Sequence, residues 1–120
     1  MKDDRLYAVH ILECVRRIQA YTAEGREAFL ADQRTQDAVL RNLEVIGEAA
    51  KRISTQTRAA APHVPWRRVA GLRDILIHQY EGVDLSAVWQ IVERDVPDLA
   101  RDIEALLADP TGTQGAGSRC

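Results

Sequence analysis

DQRTQDAVLRNLEVIGEAAKRIS, residues 32–54, is the stretch whose reading decides the fold. Within it Val39, Leu43, Ile46, Ala50 and Ile53 step by four, three, four and three positions. That is the seam of an amphipathic helix packed nearly antiparallel to a neighbour. The spacing predicts a long helix over roughly Asp32 to Ser54. Gly47 interrupts it at a cost of about 1 kcal/mol of helix propensity relative to alanine. In the small-residue run Gly47-Glu48-Ala49-Ala50, close approach of another segment is the expected compensation.

Toward the N-terminus, Ala8, Ile11, Leu12, Val15 and Ile18 recur at helical spacing and predict a first helix from Asp4 to about Thr22. Asp3 or Asp4 is placed to cap or complement its N-terminus, and Gly25 ends the pattern. Arg26 to Ala31 reads as a short segment leading into the long helix. His10 lies near the apolar stripe and reads as a structural imidazole. Toward the C-terminus, Thr55 to Pro65 reads as the main connection, stiffened by Pro62 and Pro65. Trp66 then opens a helix whose buried stripe is Val69, Leu72, Ile75 and Leu76, ended near Gly82. Asp84 reads as the N-cap of a last helix bearing Leu85, Val88, Trp89 and Val92. Pro97 cannot donate to the carbonyl of Glu93, so a kink or restart is expected before Leu99, Ile103, Leu106 and Leu107. The result is an all-α bundle of four to five helices in one domain, residues 1–108, followed by a low-complexity tail over 109–120 that should be flexible.

The 120 residues, 46% hydrophobic and 28% charged, suit one globular domain. No apolar run reaches the length of a membrane span, and the first residues carry no secretory apolar region. Two cysteines, Cys14 and Cys120, make neither a disulfide framework nor a metal-ligand spacing, so no metal site is expected. Together these features predict a cytoplasmic chain without a membrane partner. The net charge of −2 hides an asymmetry. Between Ala49 and Arg73 there is no acidic residue but six basic ones: Lys51, Arg52, Arg58, Arg67, Arg68 and Arg73. Such a patch suits a phosphate-bearing ligand. Lys51, Arg52, Arg67 and Arg68 are therefore candidates to contact that phosphate, and would be RNA-binding residues if the ligand is RNA, with Glu48 an exposed carboxylate or a supporting partner of the motif that follows.

That motif is Gly71-Leu72-Arg73-Asp74-Ile75-Leu76-Ile77-His78-Gln79-Tyr80. On one helix Asp74 and His78, four apart, share a face, whereas Arg73 lies roughly 140° from His78. Arg73 and His78 meet at one small target only if the arginine reaches around or a second copy of the helix faces the first. Gly71, near the His78 face, would let such a copy approach. An imidazole, a carboxylate and a guanidinium fit phosphodiester cleavage by a ribose 2′-hydroxyl. His78 would move the proton, Asp74 would hold its tautomer, and Arg73 would meet the developing phosphorane charge. The bland alternative is that three common surface residues share a helix.

The ordered set Arg41 to Arg52, Pro65-Trp66, Gly71 to Asp74, Arg73-x4-His78 with Gln79-Tyr80, and Asp84 to Trp89 resembles the HepT-like branch of the HEPN superfamily, over about residues 4 to 108. The resemblance implies a homodimeric, metal-independent ribonuclease toxin with Arg73 and His78 catalytic in a shared cleft and no cofactor of its own. It also implies an antitoxin partner, a minimal nucleotidyltransferase (MNT type). Using ATP and Mg²⁺, that partner would silence the toxin by AMPylation of Tyr80. An ester there would bring negative charge and bulk to a basic cleft. The alternative function is a catalytically inactive HEPN-like binding module that docks the nucleotidyltransferase.

Overall fold

The computed structural model describes residues 2–74 and 84–108, and all of its regular structure there is helical. The first helix, α1 (Lys2–Tyr21), buries Ala8, Ile11, Cys14, Val15 and Ile18 on one face. Gly25 then turns the chain with φ of 101°, in the left-handed region that glycine enters without a Cβ penalty. The segment Arg26–Ala31, read as a lead-in, is itself a short helix, α2. Its Phe29 is buried against Trp89, with ring centroids 5.5 Å apart.

The long central helix, α3 (Gln33–Arg52), begins where its seam demands. Asp32 caps it, accepting hydrogen bonds from the Arg34 amide at 3.0 Å and the Thr35 hydroxyl at 2.9 Å. The Thr35 bond is the largest of the influences that lower the Asp32 pKa. Gln36 reaches back to the Phe29 and Leu30 carbonyls and ties α2 to the start of α3. All five predicted seam residues are buried, and α3 packs along α1. Each such aliphatic side chain contributes about 1.5–3 kcal/mol when withdrawn from water.

The connection after α3 is more ordered than its sequence suggests. Ser54, expected as the end of the long helix, instead caps α4 (Thr55–Ala60) by accepting from the Thr57 amide at 3.1 Å. Asp4, read as a local cap for α1, is buried and serves this distant junction. It accepts from the Ser54 amide at 3.0 Å, the Ser54 hydroxyl at 2.6 Å and the Thr57 hydroxyl at 2.5 Å. Burial pushes the Asp4 carboxyl up, but these hydrogen bonds outweigh it and hold its pKa below the ordinary value.

After Pro65, α5 (Trp66–Ala70) buries Trp66 and Val69, and the Trp66 indole donates to the Ala61 carbonyl at 3.0 Å. The chain then tightens into a 3₁₀ turn, Gly71–Arg73, so the uniform α-helix expected from Trp66 onward already changes pitch at Gly71. Leu72 is buried as expected, whereas Ile75 and Leu76 lie outside the described residues.

Asp84 caps α6 (Leu85–Gln90), accepting from the Ser86 and Ala87 amides at 3.1 and 3.2 Å. The break expected at Pro97 takes a definite form. Ile91–Asp95 is a π turn, and α7 (Val96–Ala108) restarts directly after it. The wider turn absorbs the hydrogen bond that proline cannot make. From there α7 lies along α1 and buries Val96, Leu99, Ile103 and Leu106. Four to five helices were expected; the additional short helices α2 and α4 lie in the segments read as a lead-in and a connection. No helix among the described residues is long and apolar enough to cross a membrane.

Candidate active site

The site is positioned by α3. A Cβ built on Gly47 would stand 2.6 Å from the Arg73 amide nitrogen, 2.9 Å from the Arg73 Cβ and 3.0 Å from the Ala70 carbonyl oxygen. Glycine at 47 is therefore what lets the backbone of residues 70–73 lie directly on α3. The compensation expected for its low helix propensity is found here, and the segment that takes the space carries Arg73. Arg73 and Asp74 are both half-buried at this junction. His78 and Tyr80 lie outside the described residues, so the predicted sharing of a face by Asp74 and His78, and the angular offset of Arg73, fall outside them too.

Gly71 presents the opposite situation. A Cβ there would meet no described atom within 4 Å, and its φ of −71° is ordinary for any residue. Among the described residues nothing requires glycine at this position.

The basic stretch divides once its contacts are known. Lys51 and Arg52, at the end of α3, are exposed, as is Arg67 on α5. Arg68 is exposed but paired with Asp95 at 2.9 Å, which ties α5 to the π turn. Arg58 serves the fold instead. Its guanidinium donates to the carbonyls of Ala50 at 2.8 Å and Lys51 at 3.0 Å, satisfying the open end of α3. The sequence counted Arg58 with the phosphate-binding charges because nothing local distinguishes a residue that folds back onto a helix end. Glu48 is exposed on α3, next in sequence to the Gly47 contact.

One residue with an evident consequence was not singled out, and a second was read differently. Tyr7 on α1 is half-buried and, with His10, Val45, Glu48, Ala49 and Arg52, lines a cleft of about 240 Å³ between α1 and α3. His10, read as structural, is exposed there. Tyr7 and His10 are three apart on α1, a spacing that flags a shared face. The sequence did not show that α3 leaves a gap opposite them. Among the described residues, no three His, Cys, Asp or Glu side chains are grouped to hold a metal ion.

Among the described residues, a small all-helical domain that holds an arginine and a carboxylate half-buried at its Gly47 contact defines the class. The comparisons are narrower. The family described as ribonuclease HepT-like matches residues 11–106, and the chain belongs to that family. It is 44% identical to a probable ribonuclease HepT of Thermococcus cleftensis, over 83% of this chain and 92% of that protein. It is 25% identical to an mRNA nuclease HepT of Shewanella oneidensis, over 82% of this chain and 92% of that one. A relative in Methanocaldococcus jannaschii, described as a gamma-glutamylcyclotransferase and putative RNase, is 40% identical over 90% of this chain, but the chain spans only 49% of that protein. No solved structure matches.

Proposed function

We propose that this chain is an RNA-cleaving toxin of a HepT/MNT toxin–antitoxin module, acting through Arg73 and His78. The observation that carries the reading is the placement of Arg73. The family match spans the whole motif, and within it the contact at Gly47 fixes the backbone of the arginine the chemistry needs. In the proposed reaction the ribose 2′-oxygen attacks phosphorus and the bond to the 5′-oxygen breaks, leaving a 2′,3′-cyclic phosphate. His78 takes the 2′-hydroxyl proton, and the departing 5′-oxygen gains a proton from the second His78 of a dimer or from water. Arg73 balances the charge that builds on the non-bridging oxygens. Asp74 orients the imidazole. The motif thus supplies acid, base and cation from its own side chains, so the reaction needs no divalent ion.

The dimer belongs to the same proposal. Among the described residues Gly71 has open space on its side-chain side and no conformational need for glycine, which fits a second motif approaching that face. Silencing by the MNT-type partner acts at Tyr80, where a transferred AMP would carry a phosphodiester charge into the cleft; ATP and Mg²⁺ serve the partner alone.

The test uses the purified chain on single-stranded RNA in the presence of EDTA, with product ends analysed by mass spectrometry. Cleavage with 2′,3′-cyclic phosphate ends is expected. Activity lost to the chelator and restored by a metal would overturn the mechanism. For the regulatory part, co-expression with the partner should add adenylyl mass to the peptide containing Tyr80, and Tyr80→Phe should escape silencing. Additions mapping to Tyr7 or Tyr21 would sink the assignment.

A further inference from the structure

The cleft between α1 and α3 is unused by the chemistry above, and its lining has a distinct composition. Val45, Glu48, Ala49 and Arg52 stand at i, i+3, i+4 and i+7 along α3 and form one stripe. Opposite them, Tyr7 and His10 form a pair of flat rings on α1. Ala49 is buried and small, so it makes a floor, while Glu48 and Arg52 are exposed at the rim. Those two are opposite charges four residues apart, yet neither is in an ion pair among the described residues. A volume of about 240 Å³ is smaller than the roughly 300–1,000 Å³ of a drug-sized pocket and suits one planar base.

We infer that this cleft is a nucleotide subsite for single-stranded RNA, with the base against Tyr7 and His10 and a phosphate on Arg52. Stacking on aromatic faces is how single strands are held without sequence readout. Glu48, an acceptor with two oxygens, meets the N–H donors of a base edge. The position suits the role. Gly47 contacts Arg73 on one flank of α3, and the stripe of Val45, Glu48, Ala49 and Arg52 is centred roughly 150° around the helix from it, nearly on the opposite side. The cleft is therefore separated from Arg73 by about the 10–12 Å width of one helix. It would hold a nucleotide neighbouring the scissile phosphate, so the inference rests on the ribonuclease reading for its biological meaning but not for its binding.

The experiment measures binding of a fluorescent, fully 2′-O-methylated hexanucleotide, which has no 2′-hydroxyl to react, by anisotropy. It compares the wild-type chain with Tyr7→Leu and Arg52→Gln. Tyr7→Leu keeps apolar packing and removes the flat ring; Arg52→Gln changes an exposed residue and leaves the core untouched. Each variant should bind about tenfold more weakly, and Arg52→Gln should lower the salt dependence by about one phosphate contact. In wild type, the His10 ring resonance should move during titration. Wild-type affinity in both variants with an unmoved His10 resonance would overturn the subsite. So would weaker binding that tracks a change in sedimentation, which would assign the face to a second copy of the chain. An unmodified hexanucleotide, assayed in parallel, separates the two readings. Binding in the cleft without cleavage supports the subsite and sinks the ribonuclease; cleavage with unperturbed variant binding sinks the subsite alone.

Discussion

Gly47→Ala sets two effects of opposite sign against each other. On an isolated helix the change stabilises by about 1 kcal/mol. In this fold the new methyl group would lie 2.6 Å from the Arg73 nitrogen, so that backbone must retreat by about 0.8 Å to reach the 3.4 Å of ordinary contact. Two of the three nearest atoms are backbone atoms, which have no rotamer to yield with. Overpacking of this kind costs about 1–3 kcal/mol, leaving a net loss of about 0–2 kcal/mol. For a domain near 100 residues that lowers Tm by up to about 10 °C. The effect on catalysis should be larger, because a shift of about 1 Å in a reacting group costs on the order of 10²-fold. The assay pairs differential scanning calorimetry with initial rates of RNA cleavage. A variant that melts higher than wild type and cleaves at the wild-type rate would refute the claim that Gly47 positions Arg73.

Three further outcomes follow from the same contacts. Asp4→Asn should destabilise by about 1.5–3 kcal/mol in urea denaturation at pH 7, because a charge-assisted acceptor is lost from Ser54 and Thr57. The pH dependence has a definite sign. The folded pKa of Asp4 lies below its unfolded value of about 3.9, so the contribution is present above that value and fades as pH falls through the folded pKa. The variant and wild type should therefore converge in stability under strong acid; a gap that persists there argues for a packing defect instead. Arg73→Ala should lower cleavage by about 10²–10³-fold, as for loss of one group that stabilises transition-state charge, with little change in Tm; a collapse of Tm would make Arg73 structural. Gly71→Leu should leave the monomer's melting intact, since no described atom lies within 4 Å of its Cβ position, while weakening self-association in sedimentation velocity. Unchanged association would remove Gly71 from the interface.

What the sequence showed and what it hid divide along local and distant causes. The α3 seam, the α1 stripe and the Asp84 cap are periodicities and cap chemistries confined to a few turns, and all three reappear in the structure. Gly47 was legible because a glycine inside a strong helix needs a packing reason. Asp4 and Arg58 were not. Their partners are fifty residues away and around a helix end respectively, and only the folded path of Ser54 to Ala60 brings them together. The 3₁₀ turn at Gly71–Arg73 was equally hidden, because the apolar spacing of Val69 and Leu72 fits either pitch. The cleft at Tyr7 and His10 required knowing which residues of α3 lie opposite α1.

The central claim is that this fold cleaves RNA with the motif that begins at Arg73. Its most direct test is the rate of cleavage of a single-stranded RNA by the wild-type chain and by His78→Ala, each purified without the partner. Loss of the group that moves the proton should slow cleavage by about 10²–10⁴-fold at an unchanged melting temperature. Equal rates for the two proteins, or no cleavage by the wild-type chain, would contradict it.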